Sequence, residues 1–357
     1  MTKTEFYFRE GTEDDAPKIV ELFNAVFGKS RTIKEWRWRF LESPVKKLLI
    51  MLALDGSDNI ICHYALHPIW LTYKGEKILG ANTVDIMVHK DFRKRGLFVE
   101  TARRCYQLAR NKGIKLLYVF PNENSYHRFV NDLKWMEAAK LSYLYYITNI
   151  QNFLQSKGDT NPIASLLFKI PLMIWFDYSK KKITRITTKL PHCQISEFDY
   201  SFDSLWLECK SQFSVGLWKD FEYLQWRYSD TPQQKYTVVK ASNGSKTVGF
   251  IVITCKKERN LFVGNILDVL ACEPIEINTK ALIRTALSLF DDAGIDIVKV
   301  LLSPVSHYWR IFRSSGFFHF FRGVCNTNVL NLGDPSDYEM SIICGKWHMT
   351  GGDTDFM

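Results

Sequence analysis

The 357 residues, 46% apolar, 14% aromatic and 24% charged, suffice for two domains of about 150 residues plus a connector, and they exclude a disordered chain. The net charge of +9 suits an anionic ligand such as a nucleotide, or a membrane surface, and is too small to argue for nucleic acid by itself. The eight cysteines form no C-x-x-C pair, which excludes zinc-ribbon and thioredoxin-type sites. Met1 to Gly11 is polar, without the apolar core of a signal peptide, and no run is long enough to span a bilayer. With unpaired thiols in apolar strand-like runs, these features lead us to expect a reducing, cytoplasmic setting.

Taken in order, the first half reads as mixed α and β. Phe6 to Arg9 is a short strand. Thr12 or Asp14 caps a helix over Ala16 to Phe27, with Ile19, Leu22, Phe23 and Val26 on one face. Thr32 opens a second helix that stops before Pro44. Strands follow at Leu48–Leu54, Ile60–Tyr73 and Ile78–His89, with turn signals at Asp55-Gly56-Ser57-Asp58 and Lys74-Gly75. A helix over Leu97 to Lys112 ends at Gly113. Leu116 to Phe120 is a strand, Asn124 to Asn131 a short helix, and Leu141 to Ile147 a last strand.

The second half repeats this order. Trp226-Arg227-Tyr228 with Pro232 echoes Trp38-Arg39-Phe40 with Pro44, and Asn265 to Val269 echoes Asn82 to Ile86. Ala281 to Ala293 with Gly294 echoes the long helix, and Ser306 to Phe317 echoes Ser125 to Trp135. So many parallels in one order argue for one fold used twice, each a mixed sheet flanked by helices. The boundaries expected are 1–150, a connector at 151–191, and 192–357. Within the connector, Pro162 to Phe176 followed by Lys180, Lys181 and Lys182 reads either as a helix packed on a domain or as one lying on a membrane surface.

The sharpest local signal is Val88-His89-Lys90-Asp91-Phe92-Arg93-Lys94-Arg95-Gly96-Leu97-Phe98, between a strand and a long helix. A glycine turn there offers free backbone N–H groups, the helix dipole adds positive charge, and three basic side chains add more. The same residues would also make a plain basic loop in solvent. At this point the sequence resembles the GNAT (Gcn5-related N-acetyltransferase) superfamily, whose signature is Arg or Gln, two residues, Gly, one residue, then Gly or Ala. Arg93 and Gly96 match it, and Phe98 departs from it. The resemblance covers residues 5 to 147 and extends to 195 to 325 through the repeat.

The resemblance implies a tandem-GNAT protein of the α/β class with acetyl-CoA as acyl donor and no metal. It implies that Met87 and Val88 pair by backbone with the pantetheine arm. It further implies that the turn from Arg93, Lys94 and Arg95 through Gly96, Leu97 and Phe98 holds the pyrophosphate, with Asn124 a polar contact. The family's usual acid, a Tyr, falls at Val130 here, so Tyr126, one turn earlier, is the candidate acid. A base is needed to take a proton from the acceptor amine, and Asp85 is the candidate, although Asp268 holds the same place in the other half. His63 and His67, four apart on a strand and so on one face, are candidates for substrate contact or base. In the second half, Glu273 and Glu276 stand where the loop should be and would repel a pyrophosphate, so that half is expected to have lost the donor. The tail reads as a polar end, or as one folding back so that Asp353 or Asp355 meets a cationic acceptor.

The expected activity is transfer of an acetyl group to the primary amine of a small molecule, an amino sugar or sugar nucleotide first. No nucleic-acid partner and no transmembrane segment are expected, and homodimerisation is left open. A FemABX-like aminoacyl transferase and a non-catalytic acyl-CoA-binding protein are the alternatives.

Overall fold

The computed structural model describes residues 6–156, 162–186, 190–232 and 235–354. In the first half, β1 (Phe6–Glu10) leads to α1 (Ala16–Phe27) and α2 (Ile33–Phe40), then β2 (Leu49–Asp55), β3 (Ile60–Tyr73) and β4 (Glu76–Val88). Next come α3 (Leu97–Asn111), β5 (Leu116–Val119), α4 (Glu123–His127) with a π turn at Arg128–Asp132, and β6 (Met136–Ile147). The middle holds α5 (Ile150–Ser156), α6 (Pro162–Thr184), β7 (His192–Ile195), α7 (Ser201–Cys209), β8 (Val215–Leu217) and α8 (Phe221–Leu224). The remainder is β9 (Thr237–Asn243), β10 (Lys246–Glu258), β11 (Leu261–Ala271), α9 (Ile275–Asp292), β12 (Ile297–Leu302), α10 (His307–Ser314), β13 (Phe318–Asn331), α11 (Met340–Ile343) and β14 (Trp347–His348).

The local physics of the first half follows its sequence. Thr32 caps α2 by accepting from the Glu35 amide, and the Glu35 carboxylate answers the Thr32 N–H at 2.6 Å, a reciprocal box. Gly28 closes α1 in the left-handed region (φ 62°). Two helix expectations shift: α9 starts at Ile275, six residues before Ala281, and α10 ends at Ser314, because Gly316 (φ 98°) turns the chain into β13.

The chain forms two compact units. The first comprises residues 1–139, 214–234 and 326–346; the second, 140–213, 235–325 and 347–357. They cut across the expected boundaries at 150 and 192. Within the expected connector, Phe153 and Leu172 pack with Val263 and Ile297 in the second unit. The first unit recruits the end of β13, whose Asn328–Asn331 pairs antiparallel with β5.

In the first unit the strands run β1-β2-β3-β4-β5-β13, antiparallel except for the parallel β4–β5 pair. In the second they run β6-β12-β11-β10-β9-β7, antiparallel except for the parallel β11–β12 pair. One face of the first sheet buries Ile19, Phe23, Trp36 and Phe40 of α1 and α2 against Ile50, Leu52, Ala65 and Val84. The other buries Ala102, Cys105, Tyr106 and Ala109 of α3 with Leu66, Leu117, Val119, Phe129 and Trp135. Each such large side chain taken from water contributes about 1.5–3 kcal/mol, so both faces are fixed and the strand register with them.

Candidate acyl-donor site

β4 and β5 share only three register pairs, Gly80–Leu116, Ala81–Leu117 and Asn82–Tyr118. β4 then runs on to Val88, so its side turned away from β3 leaves β5 beyond Asn82. Within that free stretch lies a bulge: His63 faces Met87 and Ala65 faces Val84, so Tyr64 opposes both Asp85 and Ile86. Asp85 takes φ 51° there, an uncommon conformation for a residue with a side chain.

The turn after β4 is built for an anion. Lys94 (φ 63°) and Gly96 (φ 80°) are both left-handed, and Gly96 is the N-cap of α3 with no side chain capping it. Val99 and Glu100 donate to the Gly96 carbonyl (3.1 and 3.2 Å), which leaves the amides of Leu97 and Phe98 without a partner in the helix, and the dipole adds about half a positive charge. A Cβ on Gly96 would meet nothing within 4 Å, so the approach is open. Arg93, Lys94 and Arg95 are exposed; Arg93 Nε reaches the Val88 carbonyl at 3.4 Å, and Arg95 lies 5.0 Å over the Phe92 ring. Leu97 is buried with Ala53, Ile61 and Cys62. Phe98 explains its departure from the small-residue signature: its ring packs between Tyr64 (6.2 Å) and Phe129 (5.8 Å). Leu97 and Phe98 can offer only backbone to a ligand.

Asp85 is not placed as a free base. Its carboxylate, 6% exposed, takes both guanidinium nitrogens of Arg31 and lies 3.8 Å from Arg39. Burial alone would raise its pKa, but Arg31 and Arg39 outweigh burial and hold it below the ordinary carboxylate value. An acid held ionised by two arginines is a poor proton acceptor. Its carbonyl, however, accepts from His63 Nδ1 at 2.7 Å. That hydrogen bond fixes the tautomer and leaves Nε2 of His63 with a lone pair, and this atom is buried with no partner among the described residues. Burial, foremost, keeps His63 below its ordinary pKa and so neutral.

His67 is also fully buried. Burial first, then Arg39 and Arg227, push it down to about 3. It packs against Trp226 (5.1 Å) and lines a small hollow of about 10 Å³, room for one water, with Pro44, Trp70, Trp218, Tyr223 and Trp226. Trp226 in turn stacks on Trp38 (4.8 Å), and each indole N–H donates to the other's backbone carbonyl, at 2.9 and 3.0 Å. His67 pairs in register with Asn82, the last β4 residue joined to β5, so the hollow borders the point where the strands part.

Tyr126 is half-buried on α4 and its hydroxyl donates to Glu137. Asn124 is exposed in the first turn of α4, whose cap is Asn122, accepting from the Ser125 amide at 3.0 Å. Asp353 belongs to the second unit. It is buried there, and its carboxylate takes the Thr350 N–H (2.8 Å) and hydroxyl (3.2 Å) in a capping box. Asp355 lies outside the described residues.

Sequence reasoning missed Asn328. It is fully buried on β13 opposite Val119, and neither amide atom finds a partner among the described residues. A buried amide without hydrogen bonds is costly, which makes the position conspicuous; in the sequence it is one Asn in a strand rich in them.

Residues 7–130 match the family model described as an acetyltransferase (GNAT) domain. Residues 7–130 of this chain therefore form a GNAT-family domain. Its fold resembles that of a GCN5-related N-acetyltransferase from Anabaena variabilis ATCC 29413, with TM-score 0.66 and 10% identity over 92% of this chain and 73% of that one. A GCN5-related N-acetyltransferase from Kribbella flavida gives 0.62 and 14%, over 93% and 72%. N-myristoyltransferase from Saccharomyces cerevisiae, solved with bound myristoyl-CoA, gives 0.60 and 13%, over 93% and 80%. No curated protein matches the sequence significantly. That domain is of an acyltransferase family and implies an acyl-CoA donor, and the fold over both units matches that of a tandem-GNAT protein. The open α3 turn and the parting of β4 from β5 fit such a molecule: one offers free amides to an anion, the other leaves a strand edge unpaired. Among the described residues no helix is long and apolar enough to cross a membrane.

Proposed function

We propose that this GNAT protein transfers an acetyl group from acetyl-CoA to the primary amine of a small molecule, an amino sugar or sugar nucleotide being the first class to test. The observation that carries the reading is the uncapped α3 N-terminus, with left-handed Gly96 open to solvent beside Arg93, Lys94 and Arg95. There the amides of Arg95 to Phe98 hold the pyrophosphate, and the backbone of Met87 and Val88 lies along the arm. Asn124 is a polar contact near the arm's end.

Acetyl rather than a long chain is supported by the aromatic packing beneath α3. Phe98, Phe129, Trp135 and Tyr106 pack together there in a filled core, which favours a short acyl group. In the reaction the nitrogen lone pair attacks the thioester carbonyl, the amine loses a proton, and the thiolate leaves. Held neutral with an unshared pair on Nε2, His63 is better suited than Asp85 to take that proton, directly or through water. Tyr126 remains the candidate donor to the thiolate, and must break from Glu137 to serve. Most of the rate then comes from positioning the amine against the thioester.

Calorimetric titration of acetyl-CoA into wild type and Gly96→Glu tests the donor site. Binding in the micromolar range that the substitution abolishes, followed by turnover on an amine panel, supports the proposal. No binding to wild type would sink it and favour an aminoacyl donor. Binding without turnover on any amine would favour a non-catalytic acyl-CoA-binding protein.

A further inference from the structure

Helix α6 has two opposed faces. Leu172 is buried and Phe176 half-buried in the cluster with Phe153, Val263 and Ile297, and the Ser179 hydroxyl donates to the Gly316 carbonyl at 2.9 Å. At 3.6 residues per turn, Ile170, Met173, Ile174, Tyr178 and Lys181 fall on the other side. There the apolar side chains are open: Ile170 is 50% exposed, Met173 51%, Ile174 66% and Tyr178 45%. Two turns of a helix offering four large apolar groups to water call for something to cover them.

The charges that follow indicate what. Lys180, Lys181 and Lys182 end the helix and Arg185 lies just beyond it, against one exposed acid, Asp177, on the same face. Among the described residues none of these four cations is held in an ion pair. Lys182 instead lies over the ring of Tyr178 (4.8 Å) in the apolar stripe, and Lys180 over that of Phe176 (4.9 Å) on the packed side. A protein partner would need matching acids and a fitted apolar surface. An anionic bilayer supplies both a phosphate layer and an apolar layer beneath it, without a fitted shape.

We propose that α6 lies flat on an anionic lipid surface, with Ile170, Met173, Ile174 and Tyr178 at the boundary of headgroups and acyl chains, and Lys180, Lys181, Lys182 and Arg185 among the phosphates. The helix does not cross: Pro171, Asp177 and the lysines interrupt its apolar run. This surface is independent of the donor turn.

Vesicle flotation of the full chain tests it, comparing phosphatidylcholine alone with phosphatidylcholine plus phosphatidylserine, at low and high salt. The expected result is binding only to the anionic vesicles, weakened by salt. Each Lys→Gln change among Lys180, Lys181 and Lys182 should cost about five-fold in partitioning. The double variant Met173→Ser, Ile174→Ser should lose at least about ten-fold. Both side chains are exposed, so circular dichroism and the melting temperature should match wild type. Failure to float with either vesicle overturns the proposal, as does flotation unchanged in the serine variant. A concentration-dependent self-association that the serine variant abolishes, without vesicle binding, would assign the face to a second copy of the chain.

Discussion

The two units use the same strand plan and treat its donor region in opposite ways. In the first, β4 bulges at Asp85, parts from β5 after Asn82, and ends at an α3 turn whose amides no side chain caps. In the second, β11 also bulges, between Ile266 and Asp268, and pairs with β12 only over Val263–Ile266. There, however, the chain supplies its own occupants. The Glu273 carboxylate accepts from the Ile275 amide at 3.0 Å, taking the anion's place at the start of α9. The tail lies where the strands part: Thr350 bridges to Leu302, its hydroxyl donates to Asp268 at 3.3 Å, and the Ser303 amide donates to Met349 at 3.2 Å. A fold that parts two parallel strands makes a slot, and a slot is either kept for a ligand or filled by the protein. The first unit is organised for the former and the second for the latter.

The largest test of this contrast strikes the bulge of the first unit. Asp85→Ala removes the counter-charge of Arg31, whose side chain is only 9% exposed. A loss of about 3–5 kcal/mol in urea denaturation is expected, with Asp85→Asn little better. A loss under about 1 kcal/mol would mean that the pair is solvated and Asp85 free to act as a base. Next comes the donor turn. One acetyl-CoA per chain is expected by calorimetry, and Gly96→Glu should weaken it at least about 100-fold, since it adds to α3 the carboxylate that α9 already has at Glu273. Two sites per chain would break the contrast outright.

Much of the contrast could be read in the sequence. Gly96 after three basic residues pointed to an open turn, and Glu273 with Glu276 to a closed one, because charge at a helix start carries its meaning without tertiary context. The bulge could not: Thr83-Val84-Asp85-Ile86 alternates like any strand, and only pairing with β3 shows that Tyr64 faces two residues. The arginines that hold Asp85 come from α2 and the loop before it, more than forty residues away. Nor could the units be cut from sequence, since the end of β13 joins a strand two hundred residues earlier. The frayed-end reading of the tail failed for another reason. Gly351-Gly352-Asp353 looks like a frayed end, yet Thr350 with Asp353 three residues on is a capping-box spacing and signalled an ordered turn.

Smaller effects sharpen the comparison. His67, held at about 3 in the fold against 6.5 ordinarily, makes the unfolded chain the better proton binder between those values. Stability is therefore full above pH 6.5 and falls as pH drops through this window, by up to ~1.4 kcal/mol per pH unit. Urea midpoints for wild type and His67→Gln across that range should converge at low pH; parallel curves would show His67 solvated. In the second unit, Asp353→Ala removes the box that orders the tail and should cost about 1 kcal/mol, with affinity for acetyl-CoA unchanged. A change in that affinity would tie the tail to the donor site and undo the separation drawn between the units.

The smallest expected change in stability is at Asn328, and its sign is what matters. If its amide has no protein partner, Asn328→Leu removes a desolvation cost and should raise stability by up to about 1 kcal/mol. A residue kept at that cost beside the end of β5 is expected to serve the reaction, so the same variant should lose turnover while α3 still binds acetyl-CoA normally. Lower stability with turnover intact would instead make Asn328 a packing residue whose partner is an ordered water. Denaturation and steady-state kinetics on one protein preparation separate these outcomes, because the first reads the fold's cost and the second what the fold gains from it.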